Sequence, residues 1–302
     1  ENDLEQTVMI TGIADRRNYI NNAQAHLSNV ATSFKEHSQN TIRNADEALR
    51  VLKYHYETKG KGDFNLLNDY FKQRVIDTSF FNQAGIIDVD GQYIFSNLLN
   101  HKVIDLSDRE HFKIHKERYG YPLYLSKIVY GRATKKWSIQ LTRRLEKPDG
   151  SFNGVSVVSF DPTYFVNFHR KTDLGKNGFT SFLDLDGVVR TLRAGSFSTI
   201  EGLKDPLPLP PSVLTEAAGI FVSDQLHDGV KRIYAFERLS HQPLLVLVGI
   251  DLEEVLAEHT AHRKIYLMFA IGLSAFIALF AIGAIYTIRR SARLNAELAL
   301  RT

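Results

Sequence analysis

From Ile13 to Tyr56 the chain contains neither Gly nor Pro, and apolar residues recur at helical spacing: Ile20, Ala23, Leu27, Val30 and Phe34, then Ile42, Ala45, Leu49 and Leu52. This predicts one helix of roughly 60 Å with a near-heptad seam over its first half. That seam serves equally for packing within the chain or for pairing two copies. A second helix is expected from Asp63 as N-cap, turning Leu66, Leu67, Tyr70 and Phe71 inward. The period then falls to two. AGIIDV, an Asp90-Gly91 turn and QYIFS read as a hairpin, and Ser107 with Glu110 reads as a capping box for a helix from Asp108 to Glu117. Strands are expected near Leu123–Val129, Lys136–Leu145 and Phe152–Phe160.

The second half repeats this plan. Ile87-Asp88-Val89-Asp90-Gly91 returns as Leu183-Asp184-Leu185-Asp186-Gly187, and VVSFDPTYF returns as LVGIDLEEV, with helices capped by Asp161 and Asp251. Strands follow near Ile220–Ser223, Val230–Arg238 and Pro243–Ile250. Two copies of one order predict an α+β fold of two stacked antiparallel-sheet modules.

Ile265 to Ile288 carries no charge and reaches roughly 36 Å as a helix, enough for a ~30 Å hydrocarbon core. Tyr266 and Tyr286 stand near its ends. Arg289, Arg290 and Arg293 argue for a cytoplasmic C-terminal side, although Arg263 and Lys264 flank the other end. Residues 1–264 are then expected to be extracytoplasmic, which in a bacterium is the periplasmic side of the inner membrane. The expected division is a signalling and dimerisation helix at 1–57, a membrane-distal module at 58–170, a proximal module at 171–258, a membrane helix at 259–290 and a cytoplasmic linker from 291. A sequence beginning without a leader and ending soon after the span is expected to be cut or processed, with any output module beyond Thr302.

The absence of Cys excludes disulfides and thiolate chemistry, and a net charge of +3 with scattered Lys and Arg argues against nucleic acid. No G-x-S-x-G, H-E-x-x-H or Walker loop is present, so the chain itself is expected to be no enzyme and to need no cofactor. His111 and His115 have the i, i+4 spacing of a metal pair, but no third ligand stands near them, and no metal is expected. His259 and His262 read as interfacial contacts. The Asp88/Asp90 and Asp184/Asp186 pairs are explained by turn chemistry.

The segments DREHFKIH, LYLSKIVYGRATKKWSIQLTRRL and PDGSFNGVSVVSFDPTYF, in this layout, resemble the double Cache sensor domains of bacterial receptors, with PAS-like sheets. They are most similar to those that precede diguanylate cyclase modules. The resemblance implies a homodimeric sensor whose distal module binds a small ligand and controls cyclic-di-GMP synthesis, a histidine kinase or a chemoreceptor. A structural anchor with a collapsed pocket is the non-sensing alternative. Laid on the amino-acid-binding pattern of related receptors, Arg109 is kept, Ile104 replaces a Tyr, His111-Phe112 replaces Trp-Tyr, and Ser159 replaces an Asp. The ammonium partner is thus lost, while Arg109 can still grip a carboxylate or other anion, or else hold its own loop. Tyr124, Ser126, Trp137, Ser138 and Gln140 complete the expected pocket residues. Alternation places Trp137 opposite Ser138 and Gln140, as a core anchor or a pocket wall.

Overall fold

In the computed structural model the described residues are 2–59, 64–76, 78, 79, 81–98, 102–117, 123–162, 164, 165, 172–199, 203 and 205–299. They fall into two compact units, residues 22–252, and residues 1–21 together with 253–302.

Helix α1 (Asn2–Lys59) exceeds the expected length, since a single Gly12 costs only about 1 kcal/mol in a helix. Its apolar seam is consumed inside the chain from Leu27 onward. Leu27, Phe34, Ala45, Leu49 and Leu52 are fully buried. The exposed stripe is polar instead, running Ser33, Glu36, Asn40, Arg43, Glu47, Arg50 and Tyr54.

Helix α2 (Asn65–Lys72) buries Leu67, and Phe71 stacks on Phe95, but Leu66 points outward, contrary to expectation. The Asp63 cap lies outside the described residues. Strands β1 (Gln83–Asp88) and β2 (Tyr93–Ser96) form the first hairpin. Asp88 Oδ1 accepts the amides of Asp90 and Gln92, and Gly91 takes φ +86°, so turn chemistry accounts for the acidic pair. Helix α3 spans Glu110–Glu117. β3 (Tyr124–Tyr130), β4 (Trp137–Glu146) and β5 (Phe152–Phe160) complete a sheet ordered β2-β1-β5-β4-β3.

The second sheet holds β6 (Phe179–Asp184), β7 (Val189–Ala194), β8 (Phe197–Thr199), β9 (Ala218–Ser223), β10 (Arg232–Arg238) and β11 (Leu244–Asp251), in the order β8-β7-β6-β11-β10-β9. With β8 set aside as an added edge, the two orders are identical. The repeat seen in the sequence is thus a repeat of topology. Helix α4 (Pro211–Thr215) lies between β8 and β9, the place in chain order that α3 holds between β2 and β3.

One face of each sheet packs on α1. Phe34 lies 6.3 Å from Phe182 of β6, and Ser156 of β5 donates to the Leu49 carbonyl. α1 therefore threads both modules, its earlier turns on the second sheet and its later turns on the first. The other face of the second sheet is a core of Phe179, Leu192, Tyr234, Phe236, Leu245 and Leu247.

β11 runs directly into α5 (Leu252–Ala299). Asp251 ends the strand, and its carboxylate accepts Asn177 Nδ2 at 2.8 Å. The stretch Ile271–Arg290 is long and apolar enough to cross a membrane, and none of it is buried. A core helix of a soluble protein would bury such a stretch.

Candidate functional site

The opposite face of the first sheet differs in chemistry. Register fixes which residues share it: Gln83 pairs with Ser159, and Ser159 pairs with Gln140. Ser159 Oγ donates to Gln140 Oε1 at 2.5 Å, and Gln140 Nε2 donates to Ser138 Oγ at 2.7 Å. On the same face Gln83 Nε2 donates to Ser96 Oγ at 3.2 Å. All five residues are buried. A buried row of uncharged hydrogen-bonding side chains crosses four strands where a packed core would be apolar.

Helix α3 lies over this row. Arg109 Nη2 donates to the Tyr130 carbonyl at 3.3 Å, and Tyr130 pairs with Trp137. Farther along, His115 Nε2 and Thr142 Oγ1 are 3.0 Å apart, and Arg144 Nη1 donates to the His115 carbonyl. The helix thus tracks β4 from Trp137 towards Arg144. Four helical residues rise roughly 6 Å and two strand residues roughly 6.6 Å, so His111 falls over Ser138 and Gln140. His111 is buried, and its Nδ1 has no hydrogen-bond partner among the described residues. Burial, then the neighbouring Arg109 and His115, lower its pKa to about 4. His115 is also lowered to about 4, chiefly by burial. Both imidazoles are neutral at pH 7.

Of the residues expected in the pocket, His111, Ser138, Gln140 and Ser159 come together. Arg109 sits at the rim, half-buried, beside Arg132, which grips Asp108 with both Nη atoms at 2.6 and 2.7 Å. Tyr124 stands beside His115, ring centroids 6.4 Å apart, and its phenol is raised by burial and then by the Glu110 carboxylate that it hydrogen-bonds. Glu110 therefore faces Tyr124 rather than closing a capping box. Asp105 Oδ1 takes the Ser107 amide at 2.8 Å instead.

Three expected residues leave the row. Ser126 is committed to the β3 bulge, where its Oγ accepts the Gln140 amide at 2.9 Å and donates to the Lys127 carbonyl. Phe112 is buried in the core with Ile87, Tyr93, Leu106, Val155 and Val157. Trp137 has the face of Ile139 and Leu141 and meets Tyr130 edge-on, centroids 5.5 Å apart. Gln83 and Ser96 were not expected. Once the pairing is known, the internal repeat singles out Gln83. Where the first module has Gln83, Ser159 and Gln140, the second has Phe179, Gly249 and Tyr234 at the same register. There the rings of Phe179 and Tyr234 meet edge-on at 5.2 Å, and a Cβ on Gly249 would lie 2.7 Å from the Tyr234 ring. Arg232 adds its guanidinium over Phe179 and is held by Asp228. The second module fills with aromatic side chains the position that the first lines with amides and hydroxyls.

Two modules of one topology on a shared helix, one polar and one filled at the equivalent place, define a duplicated α+β fold. Residues 162–249 match the family model dCache_1_like, a histidine kinase sensor domain. Among solved structures, the extracellular domain of the candidate histidine kinase rpHK1S-Z16 is 24% identical with a TM-score of 0.64, covering 78% of this chain and 98% of its own. The periplasmic sensory domain of the Campylobacter jejuni chemoreceptor Tlp1 is 13% identical with a TM-score of 0.62, over 79% and 98%. The ligand-binding domain of the Pseudomonas fluorescens chemoreceptor CtaA, solved with L-isoleucine, is 14% identical with a TM-score of 0.57, over 81% and 98%. No curated protein gives a significant match. The fold is that of the double Cache sensor domains of histidine kinases and chemoreceptors.

Proposed function

We propose that this chain is the extracytoplasmic ligand-sensing part of a membrane signalling receptor, with α5 as its membrane span and the α3 face of the first sheet as its ligand site. One observation carries this reading: the buried uncharged row from Ser96 and Gln83 to Ser159, Gln140 and Ser138, against aromatic filling at the same register of the second module. Polar groups held in a core cost free energy unless they are hydrogen-bonded, and here they are bonded to one another where an apolar filling would serve a core equally. A ligand on that face meets donors and acceptors without a buried carboxylate among them. An α-amino acid ammonium therefore lacks its counter-ion, and a neutral polar group or a carboxylate reaching Arg109 is favoured. The CtaA complex supports small-molecule binding by this fold.

The output is read as signalling through α1 and α5, in two copies of the chain. A histidine kinase or chemoreceptor partner is supported by the matched model and the structural relatives. The likeness of DREHFKIH, LYLSKIVYGRATKKWSIQLTRRL and PDGSFNGVSVVSFDPTYF to domains that precede diguanylate cyclase modules supports a diguanylate cyclase. Cyclic-di-GMP measured in cells overexpressing the full receptor separates them: a rise favours the cyclase, and an unchanged level removes it.

The ligand site is tested by thermal shift of the whole chain in detergent against carboxylates, amines and purines. A ligand is expected to raise the melting temperature, and Arg109→Ala to weaken a carboxylate hit. A broad screen without a hit, on folded protein, favours the structural anchor.

A further inference from the structure

A cavity lies on the other side of the first sheet, away from α3. It measures about 730 Å³ and is lined by α1, by Leu123 and Arg143 of the first module, and by the β10–β11 turn at Ser240–Gln242 of the second. Three chain segments that otherwise belong to separate modules thus share one wall. Its size falls within the roughly 300–1,000 Å³ of small-molecule sites.

The charges in it are uneven. Among the described residues Asp46 is the one carboxylate partner of two guanidinia there: Arg143 holds it through Nε and through Nη2 at 2.9 Å, and Arg50 Nε reaches it at 3.1 Å. Arg43 donates to a neutral group, Asn40 Oδ1, at 2.8 Å. Glu36 is the one further carboxylate in the lining, at the far end from Arg50, and His241 adds a titratable group on the opposite wall. Arg43 and Arg50 are seven residues apart, hence on one helix face and roughly 10.5 Å apart along the axis. Guanidinia are forks that take carboxylates bidentately, and two at this separation suit two carboxylates joined by a short chain.

We propose that this cleft is a second ligand site, distinct from the α3 face, that takes a small organic dianion between the α1 guanidinia and the β10–β11 turn. An occupant would brace α1 against both modules at once. Such binding sets the relative stability of the arrangement of modules that forms the cleft, as any ligand does for the state it prefers.

The test uses the whole chain in detergent with succinate as probe, and acetate and sodium chloride at matched ionic strength as comparators. Succinate is expected to raise the melting temperature where acetate and chloride do not. The double variant Arg43→Gln/Arg50→Gln, at two exposed positions, is expected to keep its unliganded melting temperature and to bind succinate at least about tenfold more weakly, one charge-assisted hydrogen bond accounting for that much. Arg109→Ala is expected to leave the succinate shift intact, which separates this site from the α3 face. The proposal is overturned if succinate gives no shift, if acetate or chloride matches it, or if Arg109→Ala alone abolishes it. It is equally overturned if the double variant keeps the shift, or turns a dimer into a monomer without any succinate effect, which assigns the cleft to a second copy.

Discussion

Gln140 is the residue on which the proposed ligand site turns, because it accepts from Ser159 and donates to Ser138. Gln140→Leu removes both bonds and leaves two buried hydroxyls to find other partners, at about 1–3 kcal/mol. Its expected signature is a modest fall in unliganded stability together with loss of the ligand-induced shift. A variant that loses stability and keeps the shift would place the ligand elsewhere. The two histidines give a pH signature of fixed sign. Burial holds both near 4 in the fold, against an ordinary value of 6.5. Between those values the unfolded chain binds more protons, so stability falls as pH drops from about 6.5 to 4 and is flat above. The loss is on the order of 3 kcal/mol per histidine, and urea titrations across pH should show a smaller drop in His111→Gln. At this scale the sequence was partly legible. His111, Ser138, Gln140 and Ser159 follow from strand alternation and family pattern. Gln83 and Ser96 do not, because the pairing that brings β1 beside β5 joins residues far apart in the chain.

Among the elements, α1 and the strands were readable, since helical spacing without Gly or Pro and period-two runs between Asp-Gly turns are local signals. What the pattern left open was the use of the α1 seam. The structure resolves it: Leu27 to Leu52 pack on the chain's own sheets. Phe34→Ala should therefore cost about 3–5 kcal/mol in denaturant unfolding, as a buried aromatic facing Phe182 and not as a subunit contact. A loss that appears only on dilution would contradict this. The capping box failed for a tertiary reason, because the Glu110 carboxylate is taken by Tyr124. In the second module Gly249→Ala should destabilise by about 1–3 kcal/mol, the new methyl meeting the Tyr234 ring.

Over the whole molecule, the repeat is both the most legible feature and the one that carries the functional reading. Two matching turn motifs announced two modules, and the strand orders agree. The proposed assignment of binding to the first module rests on side chains that differ between the two copies, with Gln83, Ser159 and Gln140 against Phe179, Gly249 and Tyr234. The apolar stretch Ile271–Arg290 is long enough to cross a membrane and none of it is buried, which is what the proposed membrane span rests on. Leu279→Arg at its middle should cost about 2.5–3.5 kcal/mol of insertion and lower the membrane-retained fraction after alkaline extraction.

Hydrogen–deuterium exchange of the whole chain, with and without the strongest ligand from the screen, tests the central claim most directly. Protection is expected at residues 110–117 of α3 and 137–146 of β4, with β6 and β10 unchanged apart from their edges. Protection centred on β6 and β10, with α3 and β4 unmoved, would contradict the assignment of sensing to the first module.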